Sequence, residues 1–490
     1  MKSIKDPSRA PRSHGAHLLQ GSILVFMAES LLPLTGLVTA SFLTRSLGAG
    51  GYGLLTLAAT FISWVELAVN SLFSRATVKI VSDAGDWRPV GSAIMRLHVL
   101  ASAAALAACW ILAKPLAALL DEPELAAYIA LFAVDIPVFG LAHCHRSLLV
   151  GSGKYAERAK ISAGRWTTRL FLIILLVEMG FSINGAILGS IGASLVELAI
   201  ARRYIRPAWR DRRPASLKLW DYAIPIFLSA LVLRFMGMGL FMLKILGASA
   251  EQAGIYGAAQ NLSFVIPMIL AVSISPLLLS TVARAIREND LPAARVVSSN
   301  AIRAVAALLP FAAMAAAASN EIAILIFGRH FADAGPLIAI LLFAGLAMIL
   351  IHLQNAVLIA CGNPGWTLKL AAPLFPVALA GHCIAIPVFG SVGAAAVTAL
   401  ATFLGALAGL AAGRKRLQIR LPIMTSLRAL LVSALVVPLM HLWPAHGFSV
   451  LMQMAAVSIL IACGFILLGE LRRDEIRFFK SILNPLFLRK

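Results

Sequence analysis

The chain has 490 residues, 60% of them apolar and only 13% charged, with a mean hydropathy of +0.89. A water-soluble globular domain carries about 25% charged residues, so that class is excluded. The formal charge of +20 would suit nucleic acid, but the basic residues are distributed for a different purpose, and no nucleic-acid partner is expected.

Residues 1–17 form a basic N-terminus with Lys2, Lys5, Arg9 and Arg12. The apolar run that follows exceeds a signal-peptide core and is read as a retained first helix. About 20 apolar residues cross the roughly 30 Å hydrocarbon core as a helix. Hydropathy predicts about fourteen such segments: 18–43, 53–78, 91–113, 124–149, 164–181, 184–202, 221–243, 255–280, 301–319, 335–360, 366–387, 391–412, 426–443 and 449–469. Numbering them in order, Arg45, Lys114, Lys244 and Arg329 are the basic residues of the odd-to-even connections, and Arg234 lies inside segment seven. All other Lys and Arg fall at the N-terminus, in the even-to-odd connections and the segment ends that flank them, or at the C-terminus. Cytoplasmic loops retain Lys and Arg, so both termini are expected in the cytoplasm. The five cysteines show no CxxC or zinc spacing and read as small packing residues.

The predicted fold class is all-α: a polytopic membrane protein of two pseudo-repeated six-helix lobes plus two C-terminal helices. The N-lobe is 18–202, followed by a basic cytoplasmic linker at 203–220. The C-lobe is 221–412, the appended helices lie in 413–469, and 470–490 is a cytoplasmic tail. The linker, rich in arginine and broken by Pro207 and Pro214, suits attraction to anionic membrane lipids. The repeat is carried by the connections. LTRSLGAGGYGLLTLAATF from Leu43 matches LKILGASAEQAGIYGAAQNLSF from Leu243, GSGKYAERAK from Gly151 matches CGNPGWTLK from Cys361, and FSINGAILGSIGAS matches FGSVGAAAVTA. Six helices separate the copies, so the repeat is parallel, as in transporters that rock two halves about a central site.

Thr44, Arg45, Leu47, Gly48, Tyr52 and Gly53 carry a T-R-x-L-G-x-x-x-Y-G string. This string, the loops after segments four and ten, the twelve-plus-two count and the repeat resemble the polysaccharide-flippase branch of the multidrug/oligosaccharidyl-lipid/polysaccharide (MOP) exporter superfamily. The resemblance covers nearly the whole chain. It implies a MATE/MOP-like bundle of two lobes in the bacterial inner membrane. It also implies translocation of undecaprenyl-pyrophosphate-linked sugar units for O-antigen, capsule or exopolysaccharide assembly. A lipid-linked oligosaccharide would be the partner, with a polysaccharide polymerase and other assembly proteins alongside.

A charge near the bilayer centre costs about 2.5–3.5 kcal/mol on insertion scales and so needs a reason. Arg234, midway through segment seven, could grip a pyrophosphate or sugar carboxylate bidentately, or pair with an intramembrane acid. Glu29, Glu66 and Asp135 are the candidate partners, with Glu29–Arg234 the first choice. Each acid is also a candidate for H⁺ or Na⁺ coupling, or is a neutral or paired structural acid. Pro137 leaves a carbonyl free one turn back, and such broken helices often line cavities. His352, Gln354 and Asn355 on segment ten either line a wet cavity or bond to neighbouring helices. Arg75, Arg146, Arg165, Arg169 and Arg303 read as inward anchors at cytoplasmic helix ends, and together could draw an anionic headgroup toward the cleft. Arg146, beside His143 and His145, is the one taken as a headgroup contact.

No G-x-x-x-x-G-K-[ST] or H-E-x-x-H string is present, so neither an ATP engine nor a zinc protease is expected, and no cofactor. The rival readings are a cation-coupled multidrug exporter, a lipid II flippase and a membrane-embedded glycosyltransferase. The central Arg234 disfavours the first. An apparent lack of deep arginines in the first lobe disfavours the second, and short outward loops disfavour the third.

Overall fold

The computed structural model describes residues 24–25, 27–83, 86–205, 228, 231, 234, 237–362 and 365–470. The basic N-terminus, most of the basic linker, the C-terminal tail and much of segment seven lie outside the described residues. The described residues form helices throughout: α1 Leu31–Asp83, α2 Arg88–Leu119, α3 Leu125–Phe132, α4 Asp135–Gly151, α5 Tyr155–Leu176 with a π turn Val177–Phe181, and α6 Ser182–Tyr204. There follow α7 Gly239–Ile245, α8 Ala250–Arg287, α9 Leu291–Ala306, α10 Leu309–Ala317, α11 Ser319–Phe327, α12 Ala334–Ala360, α13 Gly365–Ala371, α14 Leu374–Leu417, α15 Ile423–Leu442 and α16 Ser449–Leu467.

Nine stretches among the described residues are long and apolar enough to cross a membrane. Three of these, at 45, 50 and 53 residues, would reach about 70–80 Å as straight helices, more than twice the hydrocarbon core. Each is two spans joined at a glycine with positive φ: Gly48 (69°), Gly180 (91°) and Gly390 (56°). That conformation costs a side chain with a Cβ dearly and glycine little. The repeat is visible in the same backbone feature. Positive φ recurs at Gly48 and Gly247, at Asp121 and Gly328, at Gly153 and Gly362, and at Gly180 and Gly390. These are the corresponding connections of the two halves.

Packing divides the chain into two units, Met1–Ala258 with Pro364–Val397, and Ala259–Asn363 with Thr398–Lys490. In the first unit α5 and α6 form a hairpin whose close approach depends on small residues. A Cβ on Gly189 would come within 2.8 Å of Ile173, and one on Gly185 within 2.9 Å of the Leu176 backbone. Inside a bilayer no hydrophobic force drives helices together, so such close contact supplies the association. An even tighter crossing joins α1 to the start of α8. A Cβ on Gly53 would lie 2.0 Å from the Ala250 carbonyl oxygen, and one on Gly254 would lie 2.0 Å from that of Ala49. An apolar core at one end of this unit gathers Phe73, Met95, Cys144, Leu148, Ile161 and Ile205.

Segment four is interrupted, as Pro137 predicts. The Ala133 carbonyl, which residue 137 would normally bond, is taken by the Ile136 amide at 3.0 Å. The helix breaks there and restarts at Asp135, whose carboxylate thus stands in the first turn of α4. A helix N-terminus favours an anion.

In the second unit the appended helices α15 and α16 pack on α10. Val432, Val436 and Met440 meet Val457, Ile461 and Phe465 over Met314 and Ala318. Their other faces expose Leu435, Met452 and Leu467, a surface suited to lipid. The pair is fastened by Glu470. Its Oε1 accepts from Arg303 Nε and Thr425 Oγ1, each at 2.6 Å, and its Oε2 accepts from Arg428 Nη1 at 2.8 Å. Arg303 Nη2 also donates to the Glu470 carbonyl.

Candidate functional site

Four helices of the first unit carry polar residues at helical spacing. On α5 these are Arg158, Ser162, Arg165 and Arg169, at i, i+4, i+7 and i+11. Seven and eleven residues are close to two and three turns, so all four share a face. The same spacing places Ser190, Ser194 and Glu197 on one face of α6, and Asp135, Phe139 and Arg146 on one face of α4. Glu66 and Asn70 stand one turn apart on α1.

These faces meet in a buried ionic core. Glu197 is fully buried; its Oε1 lies 3.0 Å from Arg146 Nε and its Oε2 lies 3.2 Å from Arg165 Nε. By distance both are ion pairs. By direction neither is a hydrogen bond, because both Nε–H donors and both carboxylate oxygens lack an aligned partner. The attraction is therefore Coulombic only. The Arg165 guanidinium sits 4.1 Å from the centroid of Phe139 and 4.7 Å from that of Trp166, two cation–π contacts that fix it independently of Glu197. Arg169 Nε donates to Ser190 Oγ at 3.4 Å. The Nη nitrogens of Arg146, Arg165 and Arg169 make no hydrogen bond among the described residues.

Glu66 and Asp135 neighbour each other and both feel Arg165 and Arg169. Glu66 Oε1 and Asp135 Oδ1 are buried with no hydrogen bond among the described residues, as are His143 Nδ1 and Trp166 Nε1. His98 Nε2 meets Asn70 Oδ1 at 3.1 Å. At the edge of the core Arg158 Nη2 and Ser162 Oγ both donate to Glu29 Oε1, each at 2.9 Å. Arg146, Arg158, Arg165 and Arg169 thus face Glu29, Glu66, Asp135 and Glu197, and the core is neutral when every group is ionised. Mutual neutralisation is what makes so many charges tolerable at a depth where each alone is costly.

Several expectations change. The Glu29–Arg234 pair is not formed, since Glu29 is engaged by Arg158 and Ser162. Arg234 is helical and exposed, with no ion-pair partner among the described residues. Arg146, Arg165 and Arg169 are not helix-end anchors. The α5 helix begins at Tyr155, nine residues before the hydropathy boundary at 164, so Arg165 lies about 15 Å and Arg169 about 21 Å along it. The apparent lack of deep arginines in the first lobe is thereby overturned. Hydropathy misplaced the boundary because Glu157, Arg158 and Lys160 depress it over the first turns of α5.

On α12 only His352 and Asn355 share a face, and both are half-buried. Gln354 points elsewhere and is buried against α14, where Gly409 and Gly413 leave it room. A Cβ on Gly413 would come within 2.6 Å of Gln354 Oε1. Gln354 therefore packs into the groove at Gly409 and Gly413, with neither amide atom hydrogen-bonded among the described residues. From the sequence, Arg165 and Arg169 are marked only as members of a headgroup-attracting set and Arg158 and Glu197 are not marked, although the i, i+4, i+7, i+11 stripe on α5 is there to be read.

The kinked spans, the parallel repeat and the ionic core within one bundle define a polytopic protein with the fold of MOP superfamily transporters. The chain belongs to the family described as polysaccharide biosynthesis proteins, whose model matches residues 42–336. Among solved structures it is similar to the lipid II flippase MurJ in an inward closed conformation, with a TM-score of 0.72 and 13% identity over 95% of this chain and 100% of that one. It is also similar to a MOP superfamily transporter from Pyrococcus furiosus, at 0.58 and 14% over 82% and 95%. The MATE transporter VcmN of Vibrio cholerae in its bent form matches at 0.55 and 16% over 83% and 98%. At these identities the likeness is one of fold. No curated protein matches the chain in sequence.

Proposed function

We propose that this protein is a flippase that moves undecaprenyl-pyrophosphate-linked oligosaccharide units across the bacterial inner membrane for O-antigen, capsule or exopolysaccharide assembly. The observation that carries this reading is the arginine cluster whose Nη nitrogens make no hydrogen bond among the described residues, in a chain of the polysaccharide biosynthesis family. A pyrophosphate offers several anionic oxygens to such forks, and guanidinium remains charged at every physiological pH. Arg146, Arg165 and Arg169 would take the headgroup, with Arg234 a second contact during entry or exit and His352 and Asn355 contacts for the glycan. Both termini would lie in the cytoplasm, and the halves would alternate access while the lipid tail stays in the bilayer.

Energy would come from the membrane. Outward movement of an anion gains about 2.3 kcal/mol per charge per 100 mV of inside-negative potential, and a diphosphate diester with two charges roughly twice that. H⁺ uptake would add to this through Glu66 and Asp135, whose adjacent carboxyls, each with an unbonded oxygen, are the better coupling candidates. Glu29, already bonded twice, would serve as the structural partner of Arg158. A polysaccharide polymerase would consume the product.

A second reading, lipid II flipping, is favoured by the deep arginines and the likeness of fold to MurJ. Chromosomal deletion followed by analysis of lipid-linked saccharides separates the two. Loss of surface polysaccharide with sugar units accumulating on the cytoplasmic side supports the first. Accumulation of the peptidoglycan precursor supports the second. Intact saccharide export with new sensitivity to cationic drugs would overturn both in favour of a multidrug exporter.

A further inference from the structure

We propose that Glu197 is an exchangeable counter-ion, holding Arg146 and Arg165 while the site is empty and yielding them to a phosphoryl anion. The proposal rests on the headgroup-site reading above and adds to it the residue that competes with the substrate.

A permanent Arg–carboxylate knot uses the planar fork, with two parallel N–H···O bonds. Glu197 does the opposite. It divides one carboxylate between two arginines on two helices, approaches each at Nε at 3.0 and 3.2 Å, and makes a hydrogen bond with neither. Among the described residues the four Nη atoms of the pair make no hydrogen bond, which leaves them for another acceptor. Asp135 adds a like charge beside Glu197, which makes it a less comfortable occupant. Arg165 would stay in place after release because Phe139 and Trp166 flank it, and Arg169 keeps its bond to Ser190. A pyrophosphate brings more charge and more acceptor oxygens than one carboxylate, so exchange favours the ligand. The returning carboxylate would then help expel the ligand after translocation.

The test is a titration of the purified full-length protein with inorganic pyrophosphate by calorimetry, repeated with undecaprenyl pyrophosphate in nanodiscs to separate free phosphate from lipid headgroup. Glu197→Gln is expected to bind at least tenfold tighter than wild type while saccharide export in cells falls at least tenfold. Glu197→Asp is expected to retain near wild-type affinity. Unchanged or weaker binding by a folded Glu197→Gln overturns the proposal. If that variant is unstable, 10 mM pyrophosphate should restore its thermal stability where sodium chloride of equal ionic strength does not; failure to restore it also overturns the proposal. Failure of the site reading is distinguishable. There, Arg165→Gln and Arg169→Gln would leave pyrophosphate binding intact, and the counter-ion role would fall with the site. If Glu197→Gln tightens binding but deletion leaves lipid-linked saccharides undisturbed, the exchange stands and the flippase reading fails.

Discussion

Arg169 has little to hold it. Among the described residues its one hydrogen bond is a 3.4 Å contact from Nε, and it lies well inside α5. A charge kept there without an ion pair of its own is expensive, which supports the proposed headgroup contact over an anchor. Arg169→Gln is expected to lower surface polysaccharide at least tenfold at unchanged protein level, a comparison that staining with a matched immunoblot provides. Arg165→Lys is expected to fail as well, because an ammonium lacks both the planar fork and the stacking on Phe139 and Trp166. Glu29 differs in kind. Its bonds to Arg158 and Ser162 are satisfied and partly exposed, so Glu29→Gln should act on stability. We expect a loss of about 1–3 kcal/mol, below the 3–5 kcal/mol of a fully buried pair, read as a lower melting temperature in detergent.

Helices here are joined by contacts that tolerate little change. The reciprocal crossing of Gly53 and Gly254 places each missing Cβ 2.0 Å from a carbonyl oxygen of the other helix. No rotamer can relieve a clash with backbone, so Gly254→Ala should force the helices apart and cost more than the 1–3 kcal/mol typical of overpacking. Loss of the folded peak in size-exclusion chromatography would register it; a normal melting temperature would show that the crossing is not maintained. The appended pair depends on Glu470. Burial pushes this carboxyl up, but hydrogen bonds from Thr425, Arg303 and Arg428 outweigh it and hold the carboxyl below its ordinary value. A depressed carboxyl stabilises the fold above the unfolded pKa of about 4.3, and that contribution fades as pH falls through the folded value. Glu470→Gln should therefore melt earlier than wild type at pH 7, and the two curves should converge in acid.

For the whole molecule the membrane potential supplies the test. A dianionic headgroup gains about 4.6 kcal/mol from 100 mV, some three decades in the distribution between leaflets. Proteoliposomes loaded with undecaprenyl-pyrophosphate-linked saccharide should show outward transfer under an inside-negative potassium diffusion potential. Collapsing the potential should abolish most of it. Transfer indifferent to potential would place the driving force on ions, and Glu66→Gln would then be the decisive variant.

Composition and the distribution of Lys and Arg settled the membrane class, because a helix in hydrocarbon needs about 20 predominantly apolar residues in sequence, a local requirement. The repeat was legible too, since a glycine at a tight connection answers to local backbone geometry, as Gly180 and Gly390 do. Span boundaries were less secure, and the predicted start of α5 was cut short by Glu157, Arg158 and Lys160 in its first turns. Pairing was beyond the sequence. Glu29 could reach Arg158 or Arg234 on hydropathy alone, and Gln354 could face a cavity or a glycine groove. Which charge meets which depends on the rotation and crossing of four helices, and only the tertiary structure fixes those, because Coulomb energy in a low dielectric follows distances that sequence separation does not record.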